Sequence, residues 1–412
     1  MPSVDAVIIG AGVAGLACGS RLAQSGAGVV VIEARDRVGG RIQTLRLPGV
    51  APIEMGAQVI HGEWAATWDI VRAAKLRVAP IARSDDFVIR VGGEVRAVGD
   101  LVRAGVTPPW SVADKLTRRH AGEDRAATEV LDRLGVRGRA RAMTLEWLAQ
   151  TWAGDPAQLS VAGMRSRERE WQSGTGEFVF VDGYDAVPQH LAAGLDVRLN
   201  APVTAVSWRS GRVSVVAAGD TYVGRAAVIT VPPAVVATGG LRCEPALPPG
   251  KHAAAMELGS GDAISIVLRS ATPAPRSVWG LRVDDPGGLW RTDSGSPVVR
   301  GWVKGPAAGK ARRRGIALSW AAVAAGVFDW LRPDDVVTTR VVDWGADPLA
   351  LGAFSYPRVG ALDHAARWAR PADDTLFFAG EATCGSRHSA MVQGAIESGV
   401  RAADELLASV HI

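Results

Sequence analysis

Gly10-Ala11-Gly12-Val13-Ala14-Gly15 follows directly on the apolar run Ala6-Val7-Ile8-Ile9 and leads into a helix-compatible stretch, Leu16 to Ser25. Glycines at this spacing can cradle a phosphate. Gly10 permits a tight bend, Gly12 lets backbone approach a pyrophosphate, and Gly15 lets the helix pack on the strand. Ala14 lies in the first turn, where the helix supplies free N–H groups and partial positive charge. After the break at Gly26-Ala27-Gly28, Val29 to Ile32 reads as a second buried strand ending in Glu33. An acid there accepts hydrogen bonds from ribose hydroxyls and disfavours a 2′-phosphate. Strand, glycine loop, helix, strand and acid together predict a dinucleotide-binding βαβ unit. They do not separate NAD from FAD.

Other chemistry has little support. Cys18, Cys243 and Cys384 are far apart and form no CxxC pair, so neither a zinc site nor a redox pair is indicated. No metal is expected. Lys+Arg 46 against Asp+Glu 42 leaves a net charge of only +4, which does not suggest a nucleic-acid partner. Only five of the 46 basic residues are lysines: Lys75, Lys115, Lys251, Lys304 and Lys310. With 412 residues, 48% hydrophobic and 21% charged, the chain can bury a large core and form two to three domains. It carries no signal-peptide pattern after Met1, and its most apolar stretch, Ile316 to Trp330, is too short to span a bilayer. The expectation is a soluble, cytoplasmic protein. No assembly signal stands out, so monomer and homodimer stay open.

Along the chain, Ala113 to Trp152 predicts helices. Val197 to Val231 predicts a small antiparallel meander, and Ile264 to Leu268 another strand. Val278 to Lys304 reads as strands with exposed turns. Ala307 to Gly315, with its Lys310-Ala311-Arg312-Arg313-Arg314 run, reads as a solvated basic loop. Ala317 to Leu331 and Ser389 to Leu407 read as helices, and Leu376 to Ala379 as a short strand.

Glu33-Ala34-Arg35-Asp36-Arg37-Val38-Gly39-Gly40-Arg41 continues the loop with a Gly-Gly pair and a closing arginine. This resembles the FAD-binding signature of the flavin amine oxidase family, monoamine and polyamine oxidase-like. Further stretches extend the resemblance from residue 5 to 403. They are Glu54 to Gly62, Val181 to Tyr184, Leu199 to Val203, Ala227 to Pro232, Trp344 to Tyr356 and Leu376 to Thr383. Residues 63–180 and 270–340 match only in general character.

The resemblance implies an α/β fold: a Rossmann-type, GR2-like FAD-binding domain with an inserted α+β substrate domain. The FAD domain would be assembled from 1–75, 181–255 and 341–412. The substrate domain would comprise 76–180 and 256–340, with a helical part. It implies that Gly10, Gly12, Ala14, Gly15, Glu33, Ala34, Arg35, Gly39, Gly40 and Arg41 hold FAD. Gly56, Ala57, Gln58, Val59, Val203, Gly380, Glu381, Met391, Val392 and Ala395 would join them. Arg41 matches the arginine that neutralises the pyrophosphate, Arg35 lies beside the adenosine, and Glu381 lies near the ribityl–phosphate arm. The helix beginning at Met391 and Val392 would favour negative charge on the reduced flavin.

The implied activity is hydride transfer from a carbon next to an amine nitrogen to flavin N5. It gives an imine, with O2 reduced to H2O2. The substrate would be a small-molecule amine, secondary or polyamine-like. An amino-acid oxidase is less favoured, because the stretch Gly56–Gly62 has no arginine to hold a carboxylate. The implied catalytic positions are Phe354, Met391, His61 and Ala263. Phe354 matches the first of two cage aromatics, but Met391 stands at the second. His61 matches a tunnel-lining position and could equally be a packed core histidine. His364 and His388 are weaker candidates. Ala263 stands where many members carry a lysine near N5, and Lys251, the lysine nearest to it going back along the chain, lies well before it. Ala353 replaces the cysteine of covalent-flavin members, so noncovalent FAD is expected. Of fourteen tryptophans, Trp279, Trp290, Trp302 and Trp320 fall in the expected substrate domain. Three other readings stay open: a biosynthetic FAD dehydrogenase or desaturase with another acceptor, a non-catalytic flavin-binding protein, and a nicotinamide-only dehydrogenase.

Overall fold

The computed structural model describes residues 4–81, 86–119 and 123–409. An eight-stranded sheet runs in the order Asp196–Arg198, Val29–Ile32, Val4–Ile9, Asp220–Ile229, Arg212–Ala217, Val203–Arg209 and Arg242–Glu244; Leu376–Phe378 pairs beside Asp220–Ile229. Its central strands are parallel and buried on both faces, which explains their unbroken apolar runs. Ala6, Ile8 and Val31 pack into the core beneath helices Val13–Gln24 and Val392–Ser409. Val7, Ile9, Val30 and Ile32 face the opposite core, which includes Trp208, Trp368 and Phe378. The expected meander is present as Val203–Arg209, Arg212–Ala217 and Asp220–Ile229, antiparallel to one another.

A second, seven-stranded sheet runs Val336–Asp343, Ala263–Ser270, Val298–Lys304, Gly288–Thr292, Val278–Arg282, Phe87–Val91 and Glu94–Ala97. Period-two alternation divides its residues between two faces. Ile264, Ile266, Trp290 and Val303 enter a core covered by helices Pro306–Arg314 and Trp320–Ala325. Ala263, Ser265, Leu289, Arg291, Trp302 and Lys304 line a cavity instead. Helices Pro109–Arg119, Ala127–Arg133, Gly138–Trp152 and Val161–Glu170 form a separate helical cluster. The expected helical stretch Ala113 to Trp152 thus contains several helices; residues 120–122 lie outside the described residues.

Three local expectations need correction. Ala307 to Gly315 is not a loop: Pro306–Arg314 is a helix with proline in its first turn and arginines in its last. Both placements suit helix geometry and dipole. It buries Ala307, Ala308 and Ala311, while Arg312 reaches Asp262 and Asp343. Ala317 to Leu331 shortens to Trp320–Ala325, capped by Ser319 and ended at Gly326. The last helix begins at Val392 rather than Ser389, because Ala390 turns the chain at φ 66°.

Helices Val13–Gln24 and Val392–Ser409 lie so close that a Cβ on Gly399 would stand 2.2 Å from the Ala14 carbonyl oxygen. This crossing sets the spacing of the two helix N-termini that border the cavity. Gly399→Leu is expected to destabilise the protein by about 3 kcal/mol through overpacking and to lower flavin retention. Thermal unfolding together with the flavin-to-protein absorbance ratio checks it; unchanged values would mean the crossing has slack.

Candidate active site

A single cavity of about 860 Å³ runs from the glycine loop to the second sheet. Gly10 adopts φ +108°, and a Cβ there would lie 2.7 Å from Thr230 Oγ1. Gly15 does not line the cavity; a Cβ on it would stand 2.0 Å from the Gly10 carbonyl oxygen, so its role is helix–strand packing. Glu33 is buried. Its carboxylate accepts from the Ala11 N–H at 2.7 Å and the Arg35 N–H at 2.9 Å, fixing the loop against the second strand. Arg35 pairs with Asp347 at 2.8 Å. The N-terminus of Val13–Gln24 has no side-chain cap and no acid in its first turn. Nothing would lie within 4 Å of a Cβ at Gly12. An uncapped helix N-terminus opening on a glycine-floored channel fits the pyrophosphate of a dinucleotide.

Glu381 joins this half of the site to the next. It accepts from Arg41 Nη1 at 2.9 Å, Ser355 Oγ at 2.6 Å and the Ala390 N–H at 3.0 Å. Arg41 Nη1 also donates to the Ala353 carbonyl at 2.7 Å. The cavity wall brings Ala34, Gly39, Gly40, Gly56, Ala57, Gln58, Val59, Val203, Gly380, Met391, Val392 and Ala395 together with these residues.

At the far end the walls are aromatic. Trp279 and Trp302 stack at 5.8 Å, and Trp152, Trp171 and Phe354 complete the enclosure. Phe354 and Met391, the two residues the resemblance assigns to a flavin cage, both line it. Trp290 points into the core beneath, beside Trp320. His61 lines the cavity with Nδ1 3.6 Å from the Glu177 carboxylate. His388 is buried away from it, between Ser173 Oγ at 2.9 Å and Glu397 at 2.7 Å. His364 is buried beside Glu257 and Asp363.

Ala263 lines the cavity, and the residue directly across from it on the neighbouring strand is Lys304. The lysine beside this position in space is therefore not Lys251, which lies under Trp368 and donates to its carbonyl at 2.6 Å. Lys304 Nζ donates to the Gln150 carbonyl at 2.9 Å and lies 5.7 Å from the centre of the Phe354 ring. Burial pushes its pKa down to about 8, so the amine is charged below that pH and neutral above it. Arg167 also reaches the cavity, stacked 4.7 Å over Trp152, and burial lowers its pKa to about 10. Sequence reasoning missed both. The available signal was the period of two: Trp302 was a pocket candidate, and Lys304 shares its face. Among the described residues there is no group of three or more potential metal ligands, and no helix is long and apolar enough to cross a membrane.

Residues 13–407 match the family model for flavin-containing amine oxidoreductases. Polyamine oxidase 4 of Oryza sativa is 30% identical, the match covering 98% of this chain and 88% of that protein. Lysine-specific histone demethylase 1 homolog 2 of Arabidopsis thaliana is 28% identical, over 97% of this chain and 58% of that protein. Among solved structures, putrescine oxidase bound to putrescine has a TM-score of 0.81 at 21% identity, covering 99% of each chain. Cyclohexylamine oxidase from Brevibacterium oxydans has a TM-score of 0.80 at 20% identity, covering 100% of each. With a Rossmann-type sheet, a cradle suited to FAD and a match along nearly its whole length, this chain belongs to the flavin-containing amine oxidoreductase family and is an FAD-dependent amine oxidase.

Proposed function

We propose that this enzyme oxidises a small-molecule amine at the carbon next to nitrogen, with noncovalent FAD and with O2 as the final acceptor. The observation that carries the reading is one continuous cavity whose one end is the glycine loop and Glu33 and whose other end is an aromatic enclosure. FAD, when bound, accepts the hydride, leaving an imine that water hydrolyses, and returns the electrons to O2 as H2O2.

The chain's own residues would hold, orient and desolvate. Gly10, Gly12 and the first turn of Val13–Gln24 would receive the pyrophosphate, with Arg41 held in place by Glu381 and the Ala353 carbonyl. Phe354, Trp279 and Trp302 offer apolar faces that exclude water from the reacting carbon. Desolvation disfavours the ammonium form, so such walls favour the neutral amine whose C–H bond can be oxidised. Cys18, Cys243 and Cys384 are all absent from the cavity wall, and Ala353, the position the resemblance assigns to a covalent cysteine, carries no thiol.

Anaerobic addition of the substrate amine is expected to bleach the flavin absorbance, and air to restore it with one H2O2 formed per amine consumed. Reoxidation much slower than turnover would favour the biosynthetic dehydrogenase instead. Acid precipitation should release the flavin into the supernatant; colour that stays with the pellet refutes noncovalent binding. Glu381→Gln removes the charge that holds Arg41. It should weaken FAD binding by about tenfold or more, read as flavin lost on dialysis.

A further inference from the structure

We propose that His388 is a positioning residue for amine binding: held between Ser173 and Glu397, its imidazole fixes the Trp171 indole against the turn that carries Met391 and so sets the width of the aromatic end of the cavity. The inference rests on the amine-oxidase reading above for its ligand, and adds to that site a residue that does not line the cavity.

Two stretches far apart in the chain meet at this ring. Ser173 Oγ lies 2.9 Å from Nε2, and the Glu397 carboxylate lies 2.7 Å from Nδ1. Ser173 belongs to the loop after helix Val161–Glu170, and Glu397 stands in the second turn of helix Val392–Ser409. Trp171, on the same loop as Ser173, lines the cavity and meets the imidazole edge-to-face, with ring centres 5.8 Å apart and planes at 85°. An indole has a single N–H donor, and that of Trp171 is tied back to the Gly174 carbonyl at 2.6 Å, inside its own loop. The indole therefore makes no hydrogen bond to the last helix; His388 makes the crossing for it.

The other side of the crossing is equally constrained. Met391 and Val392 line the cavity just after His388. A Cβ on Gly394 would stand 2.1 Å from the His388 carbonyl oxygen, and the Ala390 N–H donates to Glu381 at 3.0 Å. A displacement of the imidazole is thus passed to two walls, Trp171 on one side and Met391 on the other. A second pair of contacts holds the same parts together. Gln393 Nε2 donates to the His61 carbonyl at 3.3 Å, and a Cβ on Gly62 would stand 1.9 Å from the Ser173 carbonyl oxygen.

The chemistry of the ring suits a tether. A carboxylate on Nδ1 holds a proton there and leaves Nε2 to accept from the Ser173 O–H; when Nε2 is protonated too, the hydroxyl turns and accepts instead. Both nitrogens are satisfied in either state, so the bridge survives a change of charge. Serine, histidine and acid in a line is also the order of a nucleophilic triad. Ser173, however, is 1% exposed and does not line the cavity, so no acyl group reaches its hydroxyl.

The test compares holoenzyme variants by anaerobic bleaching with benzylamine and, without turnover, by indole titrated while following the flavin spectrum. His388→Phe keeps a ring beside Trp171 and removes both hydrogen bonds. It should weaken both ligands by roughly tenfold, while the flavin-to-protein ratio and the limiting bleaching rate are kept. Ser173→Ala and Glu397→Gln each cut one end of the bridge and should give smaller losses in the same direction; they carry the test if His388→Phe does not fold. Because His388 acts through Trp171, adding His388→Phe to Trp171→Leu should weaken binding no further than Trp171→Leu alone.

Losses that add in the double variant would overturn the inference, because the two residues would then act separately. So would unchanged affinity for both ligands, or a loss confined to flavin retention. In each case the amine-oxidase reading would stand. A wild-type flavin that benzylamine, putrescine and cyclohexylamine all fail to bleach would remove the functional reading and the inference with it.

Discussion

A buried carboxylate has to be satisfied by donors that reach it, and in this protein the carboxylate of Glu381 draws them from three separated stretches of chain. Arg41 comes from the signature after the first βαβ unit, Ser355 from the stretch that carries Phe354, and Ala390 from the turn before the last helix. Each of these stretches also contributes to the cavity wall. The network thus fixes the glycine-rich half of the site against the aromatic half. A hydrogen bond to an ionised acceptor in a low-dielectric interior is worth more than one in water, and it is directional. Cavity shape therefore depends on these contacts more than on the apolar packing around them.

The two sheets solve different problems. The eight-stranded sheet is buried on both faces, so its central strands are apolar throughout and hold the loop that precedes Val13–Gln24 rigidly. The seven-stranded sheet is buried on one face and lines the cavity with the other. Chemistry can change on the cavity face of a scaffold whose opposite face is held by packing, and the pairing of Ala263 with Lys304 is an instance. Lys304 brings an amine to the level of Ala263 from the neighbouring strand.

Amine oxidation by this family needs a flavin and a dry enclosure, and the cavity offers a glycine-rich cradle for the one and aromatic walls for the other. The relatives bear the names of polyamine, putrescine and cyclohexylamine oxidases. In this chain Lys304 and Arg167 line the cavity, Lys304 5.7 Å from the centre of the Phe354 ring and Arg167 4.7 Å over Trp152.

The local sequence determined the nucleotide-binding end by itself. Gly10, Gly12, Gly15 and Glu33 act through backbone geometry and short-range contacts, and their spacing along one βαβ unit is also their spacing in space. That Phe354, Met391 and His61 would meet in one cavity was legible through the longer resemblance. Tertiary structure decided the rest. The Pro306–Arg314 stretch became a helix because its alanines found a face of the second sheet to cover. Lys304 became a cavity residue only because antiparallel pairing set it opposite Ala263, 41 positions away in the chain. Arg167 reached the same enclosure from a different helix. No local pattern records such meetings, because they depend on strand register and on how helices cross, which are settled by burial over the whole fold.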